Sequence, residues 1–373
     1  MKKTSAGKVP FIDLAFQDKA VKTRTAAAVK NIFSSHRFVL GAYGRELEEK
    51  IAQKTGASHA VGVANGSDAL YLALLALGVG AGDEVITTAF SFFATAGAIS
   101  RTGAVPVFVD IDPVSFNLDP QKIAARVSKK TKAILPVHLF GLSCDMKVIL
   151  AVANRFSLPV VVDAAQSFGA TYQGKETGAL GHAGCFSFYP TKNLGGAGDG
   201  GMITTSSAEV AEKLKLLRNH GSREKYRHEI VGINSRLDEI QAAVVLEKMK
   251  YIDRWNAMRK KTAKLYEKGL AGLPVKLPAA STGYGHIYHL YSVLAENRDA
   301  LLAHLESRGI GAGVYYPLPL HLQPCYQSLG YRPGSLPVSE ETARKILSLP
   351  MFAGITAMQV RRVVQAVREF YKK

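Results

Sequence analysis

From about residue 59 the chain alternates between short β-branched runs and segments of helical spacing, a pattern that few folds accommodate. "HAVGVANG", "DEVITTAF", "AVPVFVDID", "KAILPVHLFG" and "LPVVVDAA" read as strands. Between them, "DALYLALLALG", "DPQKIAARVSK" and "CDMKVILAVANRF" carry apolar residues at helical spacing. Strands that are apolar throughout, rather than alternating, are buried on both faces. The expected core is therefore a mostly parallel sheet covered by helices, an α/β fold. "GCFSFYP" and "GGMITT" add two strands, and "SAEVAEKLKLLRNHG" a helix. "RLDEIQAAVVLEKMKYIDRWNAMRKKTAKLYEKGL" is one long helix or two. Near residue 271, "AGLPVKLPAASTGYGH" has the Pro, Gly and Ser content of a linker. Beyond it, "HIYHLYSVL", "DALLAHLESRGI", "GAGVYYPLPL" and "TARKILSLP" read as a smaller α+β unit closed by the helix "TAMQVRRVVQAVREF". The 373 residues suffice for two domains. The expected division is an N-terminal arm over 1–14, a large α/β domain over 15–250 and a small C-terminal α+β domain over 251–373.

Bulk features narrow the function classes. Cys144, Cys185 and Cys325 are scattered, with no CxxC pair, which fits a reducing cytoplasm and neither a disulfide scaffold nor a metal cluster. The start "MKKTSAGKVPF" lacks the apolar segment of a signal peptide, and Val85 to Ser100 is too short and polar to span a bilayer. The net charge of +17 is spread through "REKYRHE" and "MRKKTAK" with acidic residues interleaved. That reads as solvated surface able to attract anionic substrates, not as a nucleic-acid interface.

The stretch "SFYPTKNLGGAGDGGMIT" sets Lys192 before five glycines. A phosphate loop needs its glycines first and a hydroxyl residue after the lysine; here Asn193 follows. "GAGDGG" matches GxGxxG, but it runs into a strand where a dinucleotide fingerprint opens a helix. A different chemistry fits. In "LPVVVDAAQSFGA", Asp163 stands where an apolar parallel strand ends, 29 residues before Lys192. Pyridoxal phosphate (PLP) needs a lysine to hold it as a Schiff base and a carboxylate to keep its pyridine nitrogen protonated. Its phosphate needs backbone N–H groups and hydroxyls, supplied by Gly66 and Ser67 where "VANGSDALYLALLALG" passes from strand to helix. Ser67 or Asp68 would equally serve as a plain helix cap. Phe90, Phe92 and Phe93 of "FSFFATAG" compete to stack on the pyridine ring.

"FVDIDPVSFNLDP", "DAAQSFGA", "SFYPTKNLGGAGDGG" and "GINSRLDEIQAA" together resemble the DegT/DnrJ/StrS nucleotide-sugar aminotransferases, over nearly the whole chain. The resemblance implies fold type I (the aspartate aminotransferase fold), PLP with pyridoxamine phosphate as intermediate, and a cytoplasmic homodimer. By the same likeness Lys192 holds the cofactor and shuttles the proton, Asp163 pairs with the ring nitrogen and Gln166 with the ring hydroxyl oxygen. Phe92 is the stacking aromatic, Gly66, Ser67 and Ser187 bind the phosphate, and Asn234 reaches the phosphate of the partner subunit. Relatives that carry histidine at the lysine position are dehydratases, and Lys192 separates this chain from them. "GGAGDGG" resembles members aminating carbon 3 of a keto-sugar; carbon-4 members more often read "ITTGEGG". The "NSRLD" and "YPLPLHLQP" segments resemble enzymes acting on UDP-3-keto-N-acetylglucosaminuronate, with Arg236 for the sugar carboxylate and Tyr315 and Tyr316 at the substrate. Tyr315 stands where histidine is common. A dTDP-3-keto-6-deoxyhexose is the near alternative substrate, glutamate the expected donor, and surface-polysaccharide synthesis such as O-antigen the expected context. A carbon-4 enzyme and a PLP-binding sensor are the alternative functions. Cys144 and Cys325 lie in no evident mobile Gly/Ser loop, against a desulfurase.

Overall fold

The computed structural model describes residues 7–16, 19–278 and 283–372; the first six residues of the expected arm and part of the expected linker, 279–282, lie outside them. The strands are β1 (His59–Val63), β2 (Glu84–Thr88), β3 (Val105–Val109), β4 (Thr131–Leu135), β5 (Val161–Asp163), β6 (Ala183–Ser187) and β7 (Gly201–Thr205). They pair in the orders β1-β7-β6-β5 and β3-β2-β4, and parallel bridges Ile134–Val160 and Val137–Asp163 join β4 to β5. The β2–β3, β2–β4 and β5–β6 pairs are parallel, as continuous apolar strands demand. β7 alone runs antiparallel, against both β1 and β6. The cause is local: residues 188–200 contain no helix, and a parallel return needs a crossover of about a dozen residues or more, usually helical. The glycine stretch thus turns back on the edge of its own strand.

Helices cover the sheet, among them α1 (Lys19–Ser35), α2 (Ala42–Thr55), α3 (Gly66–Ala76) and α4 (Ala94–Arg101). α5 (Met146–Arg155), α6 (Ala208–Leu217), α7 (Glu239–Met249) and α8 (Ile252–Leu270) follow. The long sequence segment is therefore two helices, broken at Lys250-Tyr251. α2 begins at Gly41, which has no side chain to cap it. The buried carboxylate of Glu239 does so from α7, accepting the amides of Gly41, Tyr43 and Gly44, each at 2.9 Å. One expected helix is absent. "DPQKIAARVSK" forms two 3-10 turns, 120–122 and 124–126. Asp119 closes a tight turn on the amide of Gln121, and Ile123 is the only residue of those turns and their junction that reaches the core. One apolar anchor makes no helical stripe.

The C-terminal region has its own three-stranded antiparallel sheet, Val275–Lys276, Tyr291–Ala295 and Ile346–Leu349. α9 (Arg298–Ser307), α10 (Pro337–Lys345) and α11 (Ala357–Tyr371) flank it. α8 straddles two cores: Ile252 and Trp255 pack with the large sheet, Tyr266 and Leu270 with the C-terminal one. The N-terminal segment is stitched to the C-terminal region by a parallel Val9–Ile310 bridge.

Candidate active site

Sheet direction explains why distant residues meet. β5 and β6 are parallel, with Asp163 level with Cys185, so Asp163 and Ser187 emerge at the same edge. The lysine loop leaves that edge too. Gly201 pairs with both Val63 and Ser187, which brings the start of α3 beside Ser187. A cavity of about 750 Å³ opens there, lined by Gly66, Ser67, Phe92, Asp163, Gln166, Ser187, Lys192, Tyr315 and Tyr316 among others. It lies outside the carboxyl ends of the parallel strands, the usual ligand position in open α/β sheets.

Asp163 is buried, with Oδ2 accepting from Thr95 Oγ1 at 2.8 Å and Oδ1 from the Ala165 amide at 3.1 Å. Burial pushes its carboxyl above the ordinary range, while Thr95, Ala165 and the charge of Lys192 pull it back. Burial lowers Lys192 to about 8, against the opposing attraction of Asp163. The pair is thus one acid and one amine sharing a low-dielectric pocket, the amine losing its proton far more readily than an exposed lysine.

Lys192 sits in a turn, its amide donating to the Tyr189 carbonyl at 2.9 Å. None of the five glycines after it has a left-handed φ. Close approach explains them instead: a Cβ on Gly195 would stand 2.5 Å from the Pro190 carbonyl oxygen, so only glycine lets the loop fold onto itself.

The end of the cavity beside α3 is a cradle. A Cβ on Gly66 would lie 2.7 Å from Ser187 Cβ and 3.1 Å from its Oγ, so the space in front of the helix stays open only with glycine. Asn65 caps α3, its side chain accepting the Asp68 amide at 2.8 Å. Neither Ser67 nor Asp68 does, and Ser67 lines the cavity. The first-turn amides and two hydroxyls make a site for a dianion.

Among the three phenylalanines only Phe92 lines the cavity, 57% exposed, its ring 6.2 Å from that of Tyr316. Phe90 is fully buried and Phe93 tilts against Tyr326. Gln166 accepts the Phe140 amide at 2.7 Å and donates to Tyr316 Oη at 3.0 Å. Tyr315 stacks on Phe11, ring centroids 5.7 Å apart. Asn234 and Arg236 do not line this cavity. Asn234 is exposed and bridges Asn219 through its backbone, and Arg236 donates to the Asn219 side chain at 2.9 Å.

Sequence reasoning passed over Ile12, Asp199 and His289, all of which line the cavity. His138, His220 and His321 do not line it; His138 accepts the Cys144 amide in the core and His321 pairs with Glu340 at 3.1 Å. Among the described residues no group of His, Cys, Asp and Glu could hold a metal, and no helix is long and apolar enough to cross a membrane.

A lysine and a strand-end carboxylate beside a glycine–serine cradle, on this strand order, fit the class of fold type I PLP-dependent enzymes. Residues 19–368 match the DegT/DnrJ/EryC1/StrS aminotransferase family, and the chain belongs to it. A Geobacillus stearothermophilus protein named pleiotropic regulatory protein is 51% identical over 98% of this chain and 99% of its own. A UDP-N-acetyl-3-dehydro-α-D-glucosamine 3-aminotransferase of Acidithiobacillus ferrooxidans is 42% identical over 96% of this chain and 97% of its own. The crystal structure of Streptomyces venezuelae DesV with a ketimine intermediate superposes with a TM-score of 0.96 at 44% identity, covering 98% of this chain and 99% of that one.

Proposed function

We propose that the protein moves an amino group from an amino acid, glutamate by preference, to the carbon-3 keto group of a nucleotide-linked sugar. The observation that carries this reading is the placement of Lys192 and Asp163 in one cavity with the phosphate cradle, in a chain so similar to a UDP-sugar 3-aminotransferase. Bound PLP supplies an electron sink for the carbon that loses its proton. Asp163 would hold the ring nitrogen protonated, and Thr95 and the Ala165 amide fix that carboxylate in place. Gly66, Ser67 and Ser187 would hold the phosphate, with Gln166 available to the ring hydroxyl and Phe92 to the ring face. Lys192, once released, is the amine that takes and returns the substrate proton. Tyr315 and Tyr316 contribute to the sugar end, and the surplus positive charge of +17 draws in a nucleotide diphosphate.

The working unit in this reading is a cytoplasmic homodimer, each active site completed by Asn234 and Arg236 of the partner subunit. Two features support it. Both residues sit outside their own chain's cavity, and the segment carrying them adjoins a run of exposed apolar residues, Phe38, Val39 and Leu40. Phe38 accepts the Glu239 amide through its carbonyl, and Val39 bridges Asp238, tying that run to the same segment. The test is direct. Purified protein with PLP and glutamate is offered UDP- and dTDP-linked 3-keto-sugars and a 4-keto-sugar, and the aminated product is identified by mass and NMR. A 3-amino product supports the proposal; a 4-amino product assigns the carbon-4 alternative. PLP binding without turnover of any keto-sugar would favour the sensor reading, which the name of the Geobacillus relative invites.

A further inference from the structure

Beside Lys192 runs a hydrogen-bond chain whose direction is fixed at one end. The Phe168 carbonyl can only accept, so Asn256 gives it an amide hydrogen at 3.2 Å and turns its own oxygen the other way. That oxygen accepts from the Asn193 amide at 2.8 Å, which points the Asn193 oxygen at Nδ1 of His289, 3.0 Å away. An acceptor in that position requires the imidazole hydrogen on Nδ1 and leaves Nε2 with a lone pair. Among the described residues Nε2 has no partner, yet it is not one of the polar atoms sealed in the core. His289 lines the cavity that holds Lys192. The ring thus borders the reacting space with one polar atom uncommitted.

The charges around the ring favour a neutral imidazole. Lys192 and Arg259 are the cations facing it, and Asp163 stands beside Lys192. The Arg259 guanidinium is occupied by the carbonyls of Tyr288, His289 and Met351 at 3.0–3.2 Å. Burial, then the charges of Lys192 and Arg259, hold His289 well below its usual value.

We propose that His289 is a positioning residue for Lys192: kept as the Nδ1–H tautomer by Asn193 and Asn256, its Nε2 accepts a hydrogen bond from the released lysine and aims that amine's lone pair at the substrate. This rests on Lys192 being the reactive amine. A neutral acceptor suits the task, because a carboxylate in its place would favour the ammonium form, which cannot take a proton. Asn193 is the next residue after Lys192, so one loop sets both partners.

The test begins with 15N spectra of cofactor-free protein labelled on histidine, the His289 resonance being identified from its loss in His289→Gln. The expected signal at neutral pH is an uncharged ring with its hydrogen on Nδ1, moving to the Nε2–H form in Asn193→Ala. In the loaded enzyme His289→Phe should slow the amino-acid half-reaction about tenfold, the cost of one directed hydrogen bond, with a shifted lysine limb in the pH–rate profile. His289→Gln, which retains an acceptor oxygen, should recover part of the rate. An Nε2–H ring in the wild type, a ring that titrates near neutrality, or a His289→Phe enzyme with wild-type rate and profile would overturn the proposal. Failure of the underlying reading shows elsewhere, as wild-type protein in which PLP never attaches to Lys192.

Discussion

The floor and the rim of the cavity are built by different means. On the floor, Asp163, Ser187, Gly66 and Lys192 lie at or just beyond the ends of strands of one sheet, and sheet register brings those strand ends together. On the rim, Ile12 comes from the N-terminal segment, and His289, Tyr315 and Tyr316 from the C-terminal region. The rim depends on how far-separated segments dock, through contacts such as Gln166 to Tyr316 and Phe11 against Tyr315. In the proposed reading, cofactor chemistry rests mainly on the residues that strand ends place, and substrate choice mainly on those that packing adjusts.

If that contrast holds, floor substitutions should abolish chemistry and rim substitutions should tune it. Lys192→Ala should reduce transamination on the order of 10⁴-fold, the upper range for removing a positioned proton-transfer group. It should also remove the visible band of protein-bound cofactor between about 400 and 430 nm. Asp163→Asn keeps the shape and a partner for Thr95 but removes the charge at the ring nitrogen. Its kcat should fall roughly 10²–10³-fold, the scale of losing one preorganised electrostatic contact, measured in single-turnover reactions with glutamate. Glu239→Ala, below the floor, strands three amides at the start of α2 and should cost about 2–3 kcal/mol in urea unfolding, as loss of bonds to a charged group does. Tyr316→Phe removes the oxygen that Gln166 bonds and should change the sugar's KM about two- to tenfold, with little change in the glutamate half-reaction. A floor variant with near-normal kcat, or a rim variant that is inactive with both substrates, would break the comparison.

The same contrast has a pH signature. Lys192 is lowered to about 8, so its neutral, nucleophilic form grows as pH rises through that value. Covalent uptake of PLP by cofactor-free protein should therefore accelerate between about pH 7 and 9 and then level off. Stopped-flow absorbance measures it, and a rate flat across that range would contradict the assignment.

Legibility in the sequence followed the same division. An acidic residue closing an apolar strand, a lysine before a helix-free glycine loop and a Gly-Ser at a helix start are local patterns with a physical reason, and the structure brings all of them to one cavity. Even the choice of Phe92 over Phe90 and Phe93 needed family likeness or coordinates, because all three sit in one short segment. His289 lay hidden in a run that reads as a strand, and its partners Asn193 and Asn256 are 63 residues apart. The failed helix at 120–126 shows the limit of periodicity: apolar spacing was present, but too few of those residues had a core to enter.

The central claim, that the lysine at the head of the glycine loop anchors the cofactor, has one direct test. PLP-loaded protein is reduced with borohydride, digested, and the peptides are mapped by mass. The account predicts the reduced cofactor on Lys192 and on no other lysine; label on a different residue, or no label at all, would contradict it.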